Sequence, residues 1–191
     1  MAAMRVLLHI CCAPCALMPV DSLRAEGLEL MGLFYNPNIQ PYQESRRRLE
    51  ALTGWAGATG LDLIVQDEYE LEAWLRRAAF RETERCRFCH HQRLLRAAQV
   101  ARRGGFDAFS TTLLYSVRQK HELVREMAEA AAAETGVAFI HRDWRPRWQE
   151  GQAESRRLGL YRQAYCGCIY SERDRYLGAP GRAPATKAKG R

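Results

Sequence analysis

The stretch RVLLHICCAPC, residues 5–15, joins a short apolar run to three cysteines in five positions. Residues 5–10 have the length and the Val/Leu/Ile content of a buried strand, so we predict a strand there. The role of three thiols at the end of a buried strand has to be explained. They could be small core residues, a redox pair or metal ligands, and the rest of the chain has to decide among these.

Outward from this stretch, short apolar runs alternate with longer amphipathic segments. Strands are predicted at residues 5–10, 29–35, 61–66, 106–114 and 137–142, and helices at residues 16–26, 42–57, 70–80, 87–103 and 118–134. We expect Pro19 to break or open the first helix. The alternation is typical of βαβ units, so it predicts one α/β domain over residues 1–178, an open parallel sheet with helices on both faces.

Ligands of such sheets bind beyond the carboxyl ends of the strands, at the switch in strand order. The informative residues follow this rule. Cys11–Cys15 come after the first predicted strand, Asn36 and Asn38 after the second, and Thr111–Ser116 at the end of the fourth. The sequence therefore predicts one site at one edge of the sheet.

Charge and hydropathy limit the classes of partner. The chain has a formal net charge of +7 over 191 residues, which permits a nucleic-acid partner without requiring one. No apolar run approaches about 18 residues, so no membrane span is predicted. Secretory features are missing too, so we expect a cytoplasmic location. Residues 179–191 are basic and rich in Ala, Gly and Pro, which predicts a disordered tail.

The cysteines are clustered rather than scattered. All seven fall into three groups: Cys11, Cys12 and Cys15; Cys86 and Cys89; Cys166 and Cys168. Clustering favours metal or redox use over core packing, and close thiols in a reducing compartment bind metal more often than they form disulfides.

Four of these cysteines can form one site. Cys86 and Cys89 lie three apart at a predicted helix start and so share a face, while Gly167 lets Cys166 and Cys168 wrap around a common metal. Four thiolates close a tetrahedral zinc site or bind a [4Fe–4S] cluster, and the spacing does not distinguish them. A structural zinc ion would leave Cys11–Cys15 unexplained, so these suggest a second metal with an open coordination position.

Polar residues at the strand ends are candidates for substrate binding. Asn36, Asn38 and Tyr42 can hydrogen-bond a base or ribose, and Arg46–Arg48 can meet phosphate. The alternative is an Asn/Pro turn that leads into an exposed helix. Thr111 and Thr112 offer hydroxyls to a ligand or to a turn.

Two histidines are predicted to have different roles. We predict that His9, inside a strand, is a hydrogen-bonded core histidine, whereas His121 neighbours a strand end and is the better candidate for substrate contact. The sequence contains neither a P-loop nor a GxGxxG motif, so no motif indicates that it binds a nucleoside triphosphate or NAD.

Five stretches carry a resemblance to a known family. LLHICCAPC, FYNPNIQPYQE, RCRFCHHQRL, FSTTLLYSVRQKH and YRQAYCGCIYS run in family order and cover about residues 5–177. In these the sequence resembles the cobalamin-independent epoxyqueuosine reductases, called QueH. The resemblance implies a Rossmann-like domain of the HUP type. It also implies reduction of epoxyqueuosine to queuosine in the tRNA anticodon wobble position, with an unidentified electron donor.

The resemblance also implies the cofactors. A [4Fe–4S] cluster would be held by Cys86, Cys89, Cys166 and Cys168, and a single iron ion beside it by Cys11 and Cys12. In some members an aspartate at or near the position of Cys15 is a further iron ligand. This sequence departs there, so Cys15 is a candidate ligand of either the iron or the cluster.

A mechanism follows from the chemistry of these parts. An iron ion with an open position can act as a Lewis acid on the epoxide oxygen, and the cluster can relay electrons. Tyr115, Tyr165 and His121 are the candidate proton donors. The wobble base must leave the anticodon stack, and we expect Tyr35, Tyr42 and Arg46–Arg48 to line the entrance to its pocket.

Two other classes of function remain possible at this point. One is a zinc-stabilised RNA-binding module without redox activity. The other is a dithiol oxidoreductase that uses Cys11 and Cys12 or Cys86 and Cys89. Iron, sulfide and zinc analysis separates all three.

Overall fold

A computed structural model describes residues 3–178, so the predicted tail at residues 179–191 lies outside the described part. Strands and helices alternate along the chain. The strands are β1 (Arg5–His9), β2 (Glu29–Tyr35), β3 (Leu63–Gln66), β4 (Ala108–Thr111) and β5 (Ala138–Phe139). The helices are α1 (Ala13–Ala25), α2 (Tyr42–Thr59), α3 (Leu71–Ala78), α4 (Arg85–Arg103), α5 (His121–Thr135), α6 (Trp148–Arg157) and α7 (Ile169–Leu177).

The five strands form one parallel sheet in the order β3-β2-β1-β4-β5. In the central strand, Leu8 is in register with Gly32 of β2 and with Ser110 of β4. The strand order reverses between β1 and β4, so the crevice beyond their carboxyl ends lies next to Cys11 and Thr112. The predicted α/β class and parallel sheet are confirmed.

Helices cover the sheet in two groups. Helix α4 packs against β1, β2 and β4 and along α5, whereas α1 packs against α2 and α6. Because both faces are covered, Val6, Leu7 and Leu8 of β1 are all fully buried. None of the helices within residues 3–178 combines the length and hydrophobicity needed to cross a membrane.

The first helix differs from its prediction. It begins at Ala13 rather than residue 16 and continues through Pro19 to Ala25, so the expectation that Pro19 breaks it was wrong. Pro14 occupies the first turn, where no backbone N–H is required. Pro19 costs one helical hydrogen bond, but burial of Ala16, Leu17 and their neighbours outweighs that loss. The earlier start places Cys15 in the first helical turn.

The carboxyl-terminal third also differs. Strand β4 ends at Thr111, whose hydroxyl accepts a hydrogen bond from the N–H of Leu113 at 3.2 Å and starts a 3-10 turn, Thr112–Leu114. Helices α6 and α7 were not predicted, because their sequences carry little apolar periodicity. Helix α6 is instead held by packing on α1, where Gly151 leaves room for the Tyr115 hydroxyl.

Candidate metal centre and substrate cavity

The chain turns from β1 into α1 at the sulfur trio, which we define as Cys11, Cys12 and Cys15. Their three sulfur atoms lie within 4.8 Å of one another, and the Cys11 and Cys12 Sγ atoms are 3.7 Å apart. Four sulfurs arranged tetrahedrally around one metal at about 2.3 Å are about 3.8 Å apart. The trio therefore has the spacing of ligands to a single ion. Within residues 3–178, no other three Cys, His or carboxylate side chains come as close together.

The pKa values of the three thiols in the trio are shifted in opposite directions. Hydrogen bonds from Cys12 and Cys15 lower the pKa of Cys11 well below its usual value. Burial raises the pKa of Cys12, and the contact with Cys11 raises that of Cys15. Thr112 supports the same sulfur, because its Oγ1 lies 3.6 Å from Cys11 Sγ and accepts the Cys11 backbone N–H at 3.2 Å. Three buried cysteine sulfurs at this spacing are a suitable donor set for a soft metal ion.

The second sulfur group, defined as Cys86, Cys89, Cys166 and Cys168, comes from two distant segments. Cys86 and Cys89 lie at the start of α4, and Cys168 directly precedes α7. The pKa of Cys89 is raised to about 12, mainly by burial and in part by the nearby Cys166 and Cys168. No three of these four sulfurs lie within 4.8 Å of one another. The four share one neighbourhood, but their spacing is wider than that of ligands to one ion.

Arg48 fixes the loop that carries Cys166. The buried guanidinium donates from Nη1 to the Cys166 carbonyl at 2.9 Å and from Nη2 to the Tyr165 carbonyl at 3.0 Å, and it is paired with Glu44 at 2.7 Å. Glu44 in turn accepts a hydrogen bond from the Tyr161 hydroxyl. Arg48 therefore holds the loop from within α2 instead of meeting a phosphate as the sequence suggested.

Gly167 allows the same loop to approach residues 36–40. Its φ of +146° is rare for other residues, and a Cβ there would lie 2.9 Å from Asn38 Nδ2. The Gln40 N–H donates to the Gly167 carbonyl at 2.8 Å. Residues 36–40, which follow β2, thus pack directly against the loop that carries Cys166 and Cys168.

A cavity of about 380 Å³ opens between the two sulfur groups. Cys11 and Cys15 lie at one part of its wall and Cys166 at another. Four further arginines line it: Arg118, Arg156, Arg162 and Arg175. In the described part of the chain none of these four forms an ion pair with a carboxylate, although twelve other arginine and histidine side chains do. Unpaired guanidinium groups beside a cavity favour an anionic ligand such as a nucleic-acid backbone.

Two of the predicted substrate residues are held inside the protein. Asn36 donates to the Ile10 carbonyl at 2.9 Å and accepts from Arg93 at 2.7 Å. Tyr35 is buried, and its hydroxyl accepts a hydrogen bond from Gln92 at 3.3 Å, on the α4 side of the sheet. Both lie outside the cavity lining.

The other predicted substrate residues have varied positions. Tyr42 is exposed and packs edge-on against Tyr69, and Arg46 pairs with Asp67 at 3.1 Å on the surface. Asn38 is buried beside Gly167, and neither polar atom of its amide has a hydrogen-bond partner among residues 3–178. Of this predicted set, Thr112 contacts the sulfur trio.

Thr111 and His9 are both buried in the core. His9 is fully buried and lies 2.9 Å from Thr111 Oγ1 through Nδ1 and 3.1 Å from the Tyr35 carbonyl through Nε2. Burial lowers its pKa to about 3, so it is neutral. The prediction of a hydrogen-bonded core histidine is confirmed.

The three candidate proton donors differ in access to the cavity. Tyr165 lines it, donates to the Gln40 carbonyl at 2.5 Å, and has its pKa raised to about 12 by burial. Tyr115 is fully buried against Trp148, and its hydroxyl donates to that residue's carbonyl at 3.1 Å. His121 contacts His141, with 3.1 Å between their Nε2 atoms, outside the cavity lining.

Six residues of the cavity wall were not predicted from the sequence: Arg118, Gln119, Arg156, Arg162, Gln163 and Arg175. Most of these residues lie in residues 143–168, where no strand or helix was predicted, or in α7. The available signal was their nearness in sequence to the cysteines: Gln163 lies three residues before Cys166, in the motif YRQAYCGC.

Comparison with known proteins gives consistent results. The family model for "Epoxyqueuosine reductase QueH" matches residues 6–174. Among similar curated proteins, the epoxyqueuosine reductase QueH of Dehalococcoides mccartyi is 37% identical, over 91% of this chain and 96% of that protein. The epoxyqueuosine reductase QueH of Thermotoga maritima is 36% identical, over 87% of this chain and 89% of that protein.

A solved structure supports the fold. The predicted subunit of a tRNA methyltransferase from Methanocaldococcus jannaschii superimposes with a TM-score of 0.55 at 12% identity. The match covers 80% of this chain and 74% of that one. At this identity the match shows a shared Rossmann-like architecture alone.

Proposed function

Because this chain belongs to the epoxyqueuosine reductase QueH family, we propose that it reduces epoxyqueuosine to queuosine in the wobble position of a tRNA anticodon. The membership makes it an oxidoreductase of queuosine biosynthesis. The observation that carries the proposal is the cavity, which is lined by Cys11, Cys15, Cys166 and four arginines that form no ion pair within residues 3–178. A tRNA substrate also fits the expected cytoplasmic location.

The thiols of the chain fit the implied cofactors. The sulfur trio has the spacing of a single-ion site, which supports a lone iron ion on Cys11 and Cys12 with Cys15 as a further ligand. The wider spacing of Cys86, Cys89, Cys166 and Cys168 supports a [4Fe–4S] cluster, whose iron atoms hold their thiolates further apart than one zinc ion does. It counts against the zinc-stabilised module, in which these four would close a tetrahedral site.

When bound, the iron ion would supply a Lewis acid for the epoxide oxygen, and the cluster would deliver electrons from an external electron-transfer donor. Removing the epoxide oxygen as water consumes two electrons and two protons per substrate. Tyr165 is the best-placed proton donor of the three candidates because it alone among them lines the cavity. With its pKa raised to about 12, it keeps its proton at neutral pH.

The arginines bind the nucleic acid. A cavity of about 380 Å³ is in the range for a small ligand such as a single nucleoside, so the wobble nucleotide has to leave the anticodon stack to enter it. Arg118, Arg156, Arg162 and Arg175 would then hold the phosphates on either side of the extruded nucleotide. Arg48 lines the same cavity but is already bonded to the loop carbonyls.

Anaerobic reconstitution tests the proposal. The protein is loaded with iron and sulfide, and its iron, sulfide and zinc contents are measured. It is then incubated with a chemical reductant and tRNA that carries epoxyqueuosine. We expect iron in excess of sulfide and, after nuclease digestion and mass spectrometry, conversion of the nucleoside to queuosine.

Two other outcomes point to the other classes. Bound zinc without sulfide, together with tRNA binding and no conversion, identifies the RNA-binding module. Reversible loss of two free thiols without bound metal identifies the dithiol oxidoreductase. A tRNA with guanosine in the wobble position is the control for binding without chemistry.

A further inference from the structure

Gln163 lies between the sulfur trio and the cavity. Its Nε2 is 2.8 Å from Cys12 Sγ and 3.7 Å from Cys15 Sγ. The side chain also lines the cavity, and its Oε1 is buried without a hydrogen-bond partner among the described residues. One end of this carboxamide is therefore occupied by sulfur and the other end is unfilled.

A matching contact exists at the second sulfur group. The Nε2 atom of Gln119, which lines the same cavity, lies 3.2 Å from Cys166 Sγ. Each sulfur group thus has one glutamine amide that reaches it from the cavity. A metal-bound thiolate has no hydrogen to donate, so the N–H end of each amide faces its sulfur.

The unfilled Oε1 atom of Gln163 requires a donor. A buried carbonyl oxygen without a hydrogen bond is unfavourable, and in a cavity wall a bound ligand can supply the missing donor. The epoxide has to approach the trio if the proposed function holds. The group nearest to Gln163 is then the epoxide-bearing substituent of the base, which an unmodified guanosine lacks.

We propose that Gln163 is a positioning residue with two separate contacts, an amide N–H that holds the Cys12 thiolate and a carbonyl oxygen that accepts a hydrogen bond from the substituent of the modified base. This inference rests on the proposed function. It assigns to one side chain both retention of the metal at the trio and discrimination between modified and unmodified tRNA.

The first test measures retention of iron. The anaerobically loaded wild type, Gln163→Met and Gln119→Met are titrated with an iron chelator, and the iron in excess of sulfide is followed. Methionine keeps the length of the side chain and removes both polar atoms. Loss of a group that supports a metal ligand typically weakens metal binding by about 10–100-fold. We expect Gln163→Met to release the excess iron at about tenfold lower chelator concentration with its sulfide unchanged.

Gln119→Met is the matched control for this measurement. Its contact is with Cys166, so it should keep the excess iron and instead shift the reduction potential of the cluster. If Gln163→Met retains the excess iron as the wild type does, or if both variants lose it equally, the assignment of Gln163 to the trio is wrong. Loss of sulfide from Gln163→Met contradicts it as well.

The second test measures tRNA binding without reductant. Wild-type holoenzyme should bind tRNA with epoxyqueuosine more tightly than the same tRNA with guanosine. Loss of one hydrogen bond should reduce that preference by about five- to tenfold in Gln163→Met. The surface variant Gln99→Met should keep it. An unchanged preference in Gln163→Met overturns the second contact. A wild type with no preference and no excess iron contradicts the proposed function itself.

Discussion

The two sulfur groups are built in different ways. The sulfur trio comes from five consecutive residues at the junction of β1 and α1, and all three of its members are buried. The second sulfur group comes from residues 86–89 and 166–168, and Cys166 is exposed toward the cavity. All three sulfurs of the trio come from one strand–helix junction, whereas the second group requires a distant loop that packs against α2.

Because of this difference, the two sulfur groups should respond differently to substitutions elsewhere in the chain. The three sulfurs of the trio are placed by the chain direction at one strand end, so a substitution at Gly167 should leave their spacing intact. The geometry of the second group depends on Arg48 and Gly167, neither of which supplies a sulfur. The following variants are designed to affect one group and spare the other.

The largest effect is expected from the trio. Cys11→Ala or Cys12→Ala should abolish conversion of epoxyqueuosine, by at least about a thousandfold, because a metal that acts as a Lewis acid contributes several kcal/mol to the reaction. Sulfide content and the visible absorbance of the cluster should be retained. Mass spectrometry of the tRNA nucleosides and sulfide analysis check these two outcomes. Loss of all sulfide would show that the two groups are not separate.

Arg48→Met should be the most disruptive change for the second sulfur group. It removes the bonds to the Cys166 and Tyr165 carbonyls and leaves the buried Glu44 without its partner. Breaking a buried ion pair of this kind costs about 3–5 kcal/mol. We expect the free energy of unfolding in urea to fall by that amount and the reconstituted sulfide to be lost.

Arg46→Met is the matched control on the same helix. Its ion pair with Asp67 is exposed, and such pairs contribute about 0–1 kcal/mol. Stability and sulfide content should be close to those of the wild type. Equal effects of the two variants would mean that the second group does not depend on Arg48.

Gly167→Ala should have an intermediate effect. The backbone there has a φ of +146°, and the new Cβ would lie 2.9 Å from Asn38 Nδ2. We expect a loss of stability of about 1–3 kcal/mol in urea unfolding and reduced sulfide content, with iron binding at the trio preserved.

Gly57→Ala provides the contrast. Gly57 lies in α2 with no atom near the position of a new Cβ, so alanine should stabilise the protein by about 0.5–1 kcal/mol. A destabilised Gly57→Ala would indicate that the urea measurement does not report local geometry.

The smallest effect is expected at the cavity that joins the two groups. Arg156→Gln should weaken tRNA binding a few-fold and reduce the slope of log affinity against log salt by about 0.7, the value for one phosphate of a single strand. Its neighbour Arg157 is paired with Glu154 at 2.6 Å, so Arg157→Gln should leave the slope unchanged. Binding is measured at several salt concentrations. Equal slopes for the two variants would contradict the assignment of Arg156 to the cavity.

Much of the fold was predictable from sequence. The strand at residues 29–35 was predicted at its observed bounds, and the order of strands and helices up to β5 was correct. These segments have apolar residues at regular intervals because one or both faces are buried. Helices α6 and α7 are short and polar, and tertiary contacts stabilise them rather than their own pattern, so no periodicity marked them.

The residues of the candidate site could also be predicted from the sequence only in part. The cysteines, Thr112 and Tyr165 were recognised because their residue types are chemically distinctive. The exposed Tyr42 and the surface pair of Arg46 show the limit of that approach, because a polar residue beside a motif can face solvent or a neighbouring carboxylate. Whether a side chain reaches the cavity depends on packing that no short stretch encodes.

The class of the sheet, the family and the clustering of the seven thiols could be predicted from the sequence alone, because hydrophobic periodicity and cysteine spacing are local properties of the chain. Tertiary packing was needed to show that Arg48 is buried under a loop more than a hundred residues away and that Gln163 reaches the trio. These contacts join residues far apart in sequence. Their geometry is set by how the helices and the final loop pack around the sheet, which the local sequence pattern does not specify.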